Sequence, residues 1–255
     1  MSSATLTVRQ LRFVNRAFWR NPASAFFTFV LPLMFLVIFT ALLGDGDVRV
    51  GGRVITLSTY YVAGMTAFAV MTACFNNIAV ALTFQRDAGV LKRLSGTPMP
   101  AGVYFTARVL HALLVSLLLV VLTATFGRFV YDASLPTGAT LARFLVALAV
   151  GAATFCTLGF AVTTLIPNAD AAQPIVNATI LPLQFLSGIF IPMGDDTPSW
   201  VTWTANIFPV KHFADAVRAG YVGTAFDWTD VLIVALWGIG GLLVAIRFFR
   251  WEPRT

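Results

Sequence analysis

The chain has 255 residues, of which 58% are hydrophobic and 11% are charged. Soluble domains carry about 25% charged and about 45–50% apolar residues, so no soluble fold could bury this much apolar surface. The formal net charge is +6, but the basic residues stand at the ends of apolar runs and form no contiguous basic face, which excludes a nucleic-acid partner. The cysteines, Cys74 and Cys156, lie inside apolar runs and are predicted to pack there, forming neither a disulfide nor a metal site. The composition therefore predicts an integral membrane protein.

The first amphipathic element is the N-terminal stretch of residues 5–21. Its arginines fall within about 80° of one another on a helix of 100° per residue, with apolar side chains roughly opposite. The arginines are Arg9, Arg12, Arg16 and Arg20, and the opposing residues are Leu11, Val14 and Phe18. Such a helix is expected to lie in the plane of the membrane interface. A signal peptide is disfavoured, because the next apolar run is longer than a typical h-region and no A-x-A cleavage pattern follows it.

Six apolar runs are long enough to cross a hydrocarbon core of about 30 Å, which takes roughly 20 residues at 1.5 Å per residue. They cover residues 25–43, 60–84, 104–126, 144–166, 171–191 and 231–249. The fourth and fifth runs are separated only by Pro167–Asp170, and one helix across both would exceed twice the core thickness, so they are predicted to be an antiparallel pair. We expect one all-α transmembrane domain of six spans covering residues 1–255.

The basic residues predict the orientation of these spans. With both termini in the cytoplasm, eleven basic residues fall on the inner side and six on the outer side, as the positive-inside rule requires. The inner set is Arg9, Arg12, Arg16, Arg20, Arg86, Lys92, Arg93, Arg108, Arg247, Arg250 and Arg254. The outer set is Arg49, Arg53, Arg128, Arg143, Lys211 and Arg218. The expected location is the plasma membrane, as a multi-pass protein of bacterial origin.

Two segments interrupt the apolar pattern. Residues 85–99, called here the coupling segment, are charged and stand between the second and third spans on the inner side. Residues 192–223, the outer segment, follow the fifth span and are rich in Trp and Phe, with Pro198 and Pro209 placed to begin two short helices. Because Trp and Tyr favour membrane interfaces, the outer segment is predicted to re-enter the outer interface.

The lysines exclude ATP hydrolysis by a P-loop in this chain. A P-loop needs G-x-x-x-x-G-K-[ST], because backbone amides hold the phosphates while the lysine reaches the terminal phosphate. Lys92 and Lys211 are followed by Arg93 and His212, so neither fits the motif. The H-E-x-x-H and G-x-S-x-G motifs are absent as well, and the sequence therefore indicates no catalytic residue and no metal site.

Polar residues inside the second and fifth spans are the candidate substrate path. The second span places Phe68, Thr72, Phe75 and Asn76 on one helical face, with Asn77 beside it, and the fifth places Gln173, Asn177 and Gln184 together with Leu181. Two such faces could line a path for an amphiphilic solute, or the amides could merely bond neighbouring helices. His111, one turn from Arg108, has similar alternatives: a titrating role, or a contact with a helix or a lipid headgroup.

The spans contain no acidic residue, which disfavours a carrier driven by protons or sodium. Glycines 151, 159, 238, 240 and 241 are predicted to allow close helix packing. Pro174 and Pro182 are expected to kink the fifth span, either as a flexible point or as a static bend.

Three features resemble the ABC-2 type permease family, the membrane subunits of type V ABC exporters. The N-terminal amphipathic helix is similar to the family's elbow helix. Residues 86–98 resemble its coupling-helix pattern E-R-x-x-G-x-L-x-R-L-x-x-T-P, with Asp87 near the position where the family often has Glu. Residues 186–192, followed by Pro198, Trp200, Pro209 and Arg218, resemble its C-terminal signature.

The resemblance implies a homo- or heterodimer of six-span subunits joined near spans two and five, with one ATP-binding subunit under each. ATP and Mg would be bound by those partner subunits, and no cofactor by this chain. The coupling segment would contact them through Arg86, Asp87, Gly89, Leu91, Lys92, Arg93 and Leu94, with Leu91 and Leu94 in an apolar groove. Leu186, Phe190 and Pro192 would form an outer gate.

The expected function is thus ATP-driven export of a hydrophobic or amphiphilic, drug- or antibiotic-like solute, most similar to the daunorubicin-type branch. Export of a lipid-linked polysaccharide or glycolipid is the first alternative, because such exporters share the architecture. A stand-alone carrier or channel is a second, and a membrane enzyme or assembly scaffold a third.

Overall fold

The computed structural model describes residues 2–43, 46–193, 197–249 and 251–252. Within these residues the chain is nearly all helical, with a single β-hairpin. The helices are α1 (Ser3–Trp19), α2 (Pro22–Leu43), α3 (Leu57–Met71), α4 (Asn77–Asp87), α5 (Val90–Ser95), α6 (Ala101–Tyr131), α7 (Gly138–Val162), α8 (Ala169–Phe185), α9 (Ser199–Ile207), α10 (Pro209–Val222) and α11 (Trp228–Phe248). The antiparallel hairpin pairs β1 (Asp47–Val50) with β2 (Arg53–Thr56).

Five helical stretches of the described chain are long and apolar enough to cross a membrane. They are α2, the continuous stretch Leu57–Asp87, α6, α7 and α11. The predicted spans at 25–43, 60–84, 104–126, 144–166 and 231–249 each overlap one of them, with ends that differ by up to six residues. The number of spans stays a prediction, because the fifth predicted run forms a shorter helix.

The fifth predicted span, residues 171–191, contains a helix that is shorter than the apolar run. Helix α8 has 17 residues and ends at Phe185, followed by turns through Ile191. At 1.5 Å per residue it is about 25 Å long, short of a core of about 30 Å. The physical reason lies at Gly188, whose φ of +73° is a left-handed conformation that ends a right-handed helix and that glycine adopts without strain.

Helix α3 is the centre of the molecule. Its residues 58–71 are all buried, and α2, α6, α7 and α10 pack around it. The outward faces of the surrounding helices are apolar, as lipid contact requires. On α6 and α11 these exposed side chains include Leu114, Leu117, Leu118, Val121, Leu232, Leu236, Ile239, Leu243 and Ile246.

A π-helical turn, Thr72–Asn76, joins α3 to α4 within the second span. A π turn bonds residue i to i+5, so it contains one residue more than the α geometry on which a helical-face prediction rests. Phe75 is consequently turned away from Thr72 and Asn76, and its backbone carbonyl approaches Gly159 of α7. The predicted common face of these residues is therefore broken at Phe75.

Glycines allow the close packing of α7 against its neighbours. A Cβ at Gly151, Gly159, Gly238 or Gly241 would crowd atoms of another helix, which confirms the packing prediction for these four. Gly240 has open space around it and is not at such a contact. Thr154 and Thr157 of α7 also donate hydrogen bonds to the Val234 and Gly238 carbonyls of α11, at 3.0 and 2.9 Å.

The outer segment contains the two predicted short helices, α9 and α10. Pro198 immediately precedes α9, and Pro209 is the first residue of α10, where its missing N–H is harmless. Its residues 194–196, and the predicted inner-side Arg250 and Arg254, lie outside the described residues. The hairpin was not predicted, although Gly51-Gly52 between alternating valines is a hairpin signal.

Candidate functional site

A cavity of about 610 Å³ lies between α2, the second span and α8. We call it the amide cavity, since Asn76, Gln173, Asn177 and Gln184 give its lining a polar side. The remaining lining is mostly apolar and aromatic, and comes from α2, α3 and α8: Phe27, Leu31, Phe35, Phe68, Met71, Ile180 and Leu181. A space with this mixed lining suits a molecule that has both an apolar body and polar groups.

Seven of the nine predicted path residues line the amide cavity: Phe68, Thr72, Asn76, Gln173, Asn177, Leu181 and Gln184. The other two are elsewhere. Phe75 lines a smaller apolar cavity against α7, because of the π turn, and Asn77 lines a neighbouring polar cavity. The α2 residues of the lining were not predicted, although Ser24 and Thr28, one turn apart on this otherwise mostly apolar helix, mark the side that lines the cavity.

Hydrogen bonds connect the amides across the cavity. The Gln173 side chain donates to Asn76 at 3.3 Å and to Asn177 at 2.8 Å, so it joins α8 to the π turn. The amides therefore do form hydrogen bonds between neighbouring helices, which was one of the two roles considered for them. The same groups also line the cavity, and the two roles are compatible because these bonds lie at its exposed side.

An aromatic cluster stands at the end of the cavity beyond Leu181. Phe190, 1% exposed, is at its centre. The ring centroids of Phe35, Phe39, Phe68 and Phe185 all lie 4.7–5.5 Å from that of Phe190. Of the other predicted gate residues, Leu186 and Pro192 are half-buried on the same turn.

The turn that carries Phe190 is fixed by the carbonyl of Gly188. Tyr60 of α3 donates its hydroxyl to this oxygen, and the Arg218 guanidinium of α10 donates to it at 3.0 Å. Arg218 also lies over the Tyr60 ring, 4.4 Å from the centroid, and is paired with Asp215 at 2.7 Å. Helix α10 thereby holds the turn after α8 against α3.

The coupling segment folds as the end of α4, a turn at Gly89 and the short helix α5. Gly89 has φ +66°, which allows the sharp reversal before α5. On α5, Lys92 and Arg93 are exposed, Leu94 is half-buried, and Leu91 is 0% exposed within this chain's own core. The structure therefore does not place Leu91 where a partner's groove could receive it, because the side of α5 that carries Leu91 packs against the core of this chain.

Arg86 and Asp87 hold the turn between α7 and α8. Arg86, 3% exposed, donates to the carbonyl oxygens of Thr163, at 2.8 Å, and of Ile166, beyond the C-terminal end of α7. The Asp87 carboxylate accepts from the backbone N–H of Ala169, the first residue of α8. Both charges match the helix ends they face, a cation at a C-terminus and an anion at an N-terminus. Arg86 is thus an internal support and not part of the exposed surface of the coupling segment.

Taken together, the apolar helices, the interior cavity and the charged coupling segment define a multi-pass membrane protein of the transport-permease class. The sequence profile of the ABC-2 type transporter family matches residues 4–222. The chain belongs to this family, whose members are membrane subunits without ATPase motifs. The resemblance seen in the sequence is thereby confirmed.

Individual relatives agree with the family. A transport permease named ycf38 of Porphyra purpurea is 24% identical over 86% of this chain and 75% of its own length. The transport permease YvfS of Bacillus subtilis (strain 168) is 22% identical over 84% of this chain and 85% of its own length. The multidrug ABC transporter permease YbhR of Escherichia coli (strain K12) is 24% identical over 60% of this chain and 40% of its own length.

Proposed function

We propose that the chain is the membrane-spanning subunit of an ATP-driven exporter that moves a hydrophobic or amphiphilic solute out of the cytoplasm or the inner leaflet. The observation that supports the proposal is the amide cavity, about 610 Å³, with amides on one side and aromatic and aliphatic side chains on the other. Such a lining binds apolar bodies without a unique shape requirement, as a drug-like cargo would need. The name of YbhR, a multidrug permease, points to the same class of cargo.

A second permease subunit would complete the path. One side of α8 is exposed in this chain, including Pro174, Ala178 and Pro182, and the amide cavity lies along this helix. A partner copy that covered α8 would enclose the cavity between two subunits. The predicted joining of subunits near spans two and five agrees with this position, because α8 and the π turn form the cavity's amide side.

The energy would come from a separate ATP-binding subunit that binds ATP and Mg. Its contact surface would include the exposed side of α5, with Val90, Lys92, Arg93 and part of Leu94, and the exposed arginine face of α1. Arg86 and Leu91, predicted earlier as direct contacts, would act from the interior, Arg86 by holding the α7–α8 turn and Leu91 by fixing α5 against the core. Six membrane spans, cytoplasmic termini and a cell-membrane location complete the proposal.

Copurification tests the partner. The tagged chain would be expressed with its neighbouring genes and purified in mild detergent, as wild type and as Arg93→Glu. The control is Arg49→Glu, which makes the same charge reversal at an exposed position of β1, on the opposite side in the proposed topology. We expect an ATPase subunit to copurify with wild type and Arg49→Glu, and about tenfold less with Arg93→Glu, because the reversed charge no longer complements the partner. A tenfold loss corresponds to about 1.4 kcal/mol of binding free energy.

Transport activity tests the rest of the proposal. In liposomes, the complex should hydrolyse ATP faster when an amphiphilic solute is present, and Leu181→Trp, which fills the cavity, should abolish that stimulation. If no ATPase copurifies in several mild detergents while the chain alone transports solute, the chain is a stand-alone carrier. If Leu181→Trp transports normally, the amide cavity is not the path.

A further inference from the structure

A second cavity, of about 420 Å³, lies next to the amide cavity and toward the coupling segment. It is bounded by α1, α2, α4 and α6, and we call it the cationic cavity because Arg108 lines it. His111, Asn77 and Gln85 contribute further polar groups, and no acidic side chain is among its lining residues in the described part of the chain. The electrostatic environment of this cavity therefore favours an anion.

The polar groups of this cavity are buried and incompletely satisfied. Arg108 is 8% exposed and His111 is 4% exposed. Among the described residues, the Nε of Arg108, both ring nitrogens of His111 and the Nδ2 of Asn77 have no hydrogen-bond partner. A buried donor without a partner is unfavourable, and more so when the group is charged. Three side chains with open donor positions around one cavity indicate a site that is completed by a ligand.

The buried charge of Arg108 has no carboxylate partner among the described side chains. Arg108 takes part in no ion pair within the described residues, and its guanidinium lies 5.4 Å from the centroid of the Tyr104 ring. The Tyr104 hydroxyl is itself committed, because it donates to Gln85 at 2.7 Å. The oxygen of this hydroxyl also accepts from Arg108, so the Tyr104 ring and hydroxyl together position the guanidinium. The Nε–H of Arg108 has no partner among the described residues and can pair with a carboxylate or a phosphate.

The two cavities adjoin each other and share part of their lining. Asn76, Thr72 and Gln173 line both of them, together with Ser24 and Thr28 of α2. One end of the combined space carries Arg108 and His111, and the other carries Phe35, Phe68 and Leu181. Arg108 is seven residues from the start of α6, about 10 Å along the helix, which is the headgroup side of the membrane in the proposed topology.

We propose that the cationic cavity receives the anionic headgroup, phosphate or carboxylate, of the exported amphiphile, while the apolar body lies in the amide cavity. Arg108 binds the anion through its forked N–H groups, and His111 and Asn77 donate further hydrogen bonds. This inference rests on the proposed function and narrows its substrate class, because a neutral or cationic solute would leave Arg108 unpaired.

Lysolipid binding tests the proposal directly. The purified protein, with its ATPase partner, would be reconstituted in phosphatidylcholine nanodiscs and titrated with oleoyl lysophosphatidic acid or oleoyl lysophosphatidylcholine, counted by native mass spectrometry. The two probes share the acyl chain and differ in the headgroup. Arg108→Gln removes the cation, and Arg247→Gln, at an exposed position of α11 on the same side of the membrane in the proposed topology, is the matched control for general attraction to headgroups.

We expect wild type and Arg247→Gln to prefer the anionic probe by about tenfold, and Arg108→Gln to bind both within about twofold. Asn76→Asp is the second variant, in case Arg108→Gln does not fold. It is isosteric, adds a negative charge to the shared lining, and should also abolish the preference. Equal binding of both probes by wild type, or an unchanged preference in a folded Arg108→Gln or Asn76→Asp, overturns the proposal.

Two further measurements are needed. One distinguishes a lipid headgroup from free phosphate as the bound anion, and the other distinguishes failure of this inference from failure of the proposed function. Inorganic phosphate at 10 mM should not displace the lysolipid; displacement that depends on Arg108 would identify a free-phosphate site and overturn the amphiphile assignment. Stimulated export of lysophosphatidylcholine without any anionic preference would refute this inference and leave the proposed function intact. An anionic preference in a chain that has no ATPase partner would refute the proposed function alone.

Discussion

The carboxylate of Asp87 accepts a hydrogen bond from the backbone N–H of Ala169 at 3.2 Å, which ties the last residue of α4 to the first residue of α8. The preceding residue, Arg86, donates to carbonyls at the end of α7. Two consecutive charged residues of the coupling segment therefore hold both sides of the α7–α8 turn. They distinguish the interior part of that segment from its exposed part, and the distinction can be tested by substitution.

Arg86→Met should destabilise the protein strongly. The carbonyls of Thr163 and Ile166 lose a charged donor, and hydrogen bonds to charged groups contribute about 1.5–3 kcal/mol each. A loss of about 3 kcal/mol corresponds to a drop in Tm of about 6–12 °C for a chain of this size. The measurement is thermal unfolding in detergent, followed by intrinsic fluorescence.

The control for Arg86→Met is Arg93→Gln, an exposed arginine of the same segment. It should leave the Tm unchanged and weaken only the association with the ATPase subunit. Equal stability of the two variants would show that the α7–α8 turn does not depend on Arg86.

Replacement of Asp87 should give a smaller, graded effect. Asp87→Asn keeps an acceptor for the Ala169 N–H but loses the charge near the α8 N-terminus, which costs about 0.3–1 kcal/mol. Asp87→Ala loses the acceptor as well and should cost about 0.5–2 kcal/mol, as for other helix caps. Chemical unfolding should therefore order the three proteins as wild type, Asn and Ala. An Ala variant as stable as wild type would contradict a capping role.

Gly220→Ala should disrupt the packing of α10 on α7. A Cβ at Gly220 would lie 2.7 Å from the backbone N and Cα of Phe144, and backbone atoms cannot rotate away. Such crowding costs about 1–3 kcal/mol. Gly240→Ala on α11 is the matched change, because nothing lies within 4 Å of its added methyl group. Its Tm should stay equal or rise slightly, since alanine favours a helix over glycine by about 1 kcal/mol. Similar Tm values for both variants would argue against close contact at Gly220.

Phe190→Leu tests the outer gate. Leucine preserves apolar volume but removes the ring contacts with Phe35, Phe39, Phe68 and Phe185, so the gate should close less completely. In proteoliposomes containing the ATPase partner, we expect faster basal ATP hydrolysis with reduced export per ATP. Phe129→Leu, at an exposed position of α6, should change neither quantity. Unchanged coupling in Phe190→Leu would remove Phe190 from the gate.

The long helices could be predicted from the sequence because apolar length is a local property that tertiary packing does not alter. The orientation of short or polar stretches, in contrast, depends on tertiary packing. Leu91 and Leu94 share a face on any helix, yet only the packing of α5 against the rest of the chain determines that Leu91 is enclosed and Leu94 partly open. Arg86 likewise has partners some 80 residues away, at Thr163 and Ile166, which no local pattern indicates.

The candidate cavity likewise combines residues that helical periodicity predicts with residues that only the packing of the helices reveals. Seven predicted residues line it because the fifth-span face and most of the second-span face obey ordinary helical periodicity. Phe75 departs because the π turn changes that periodicity within five residues. The contribution of α2 was not predicted, because only Ser24 and Thr28 distinguish the cavity side of a helix that is otherwise mostly apolar.

The π turn also sets the relative phase of the two halves of the second span. In an α-helix each residue advances by about 100° and 1.5 Å, so one surplus residue displaces everything after it by that amount. Deleting Ala73 would restore regular geometry and turn Arg86 and Asp87 by about 100° relative to Phe68, away from the helix ends they hold. The cavity wall and the attachment of the α7–α8 turn can coexist on one helix only because that helix carries this extra residue.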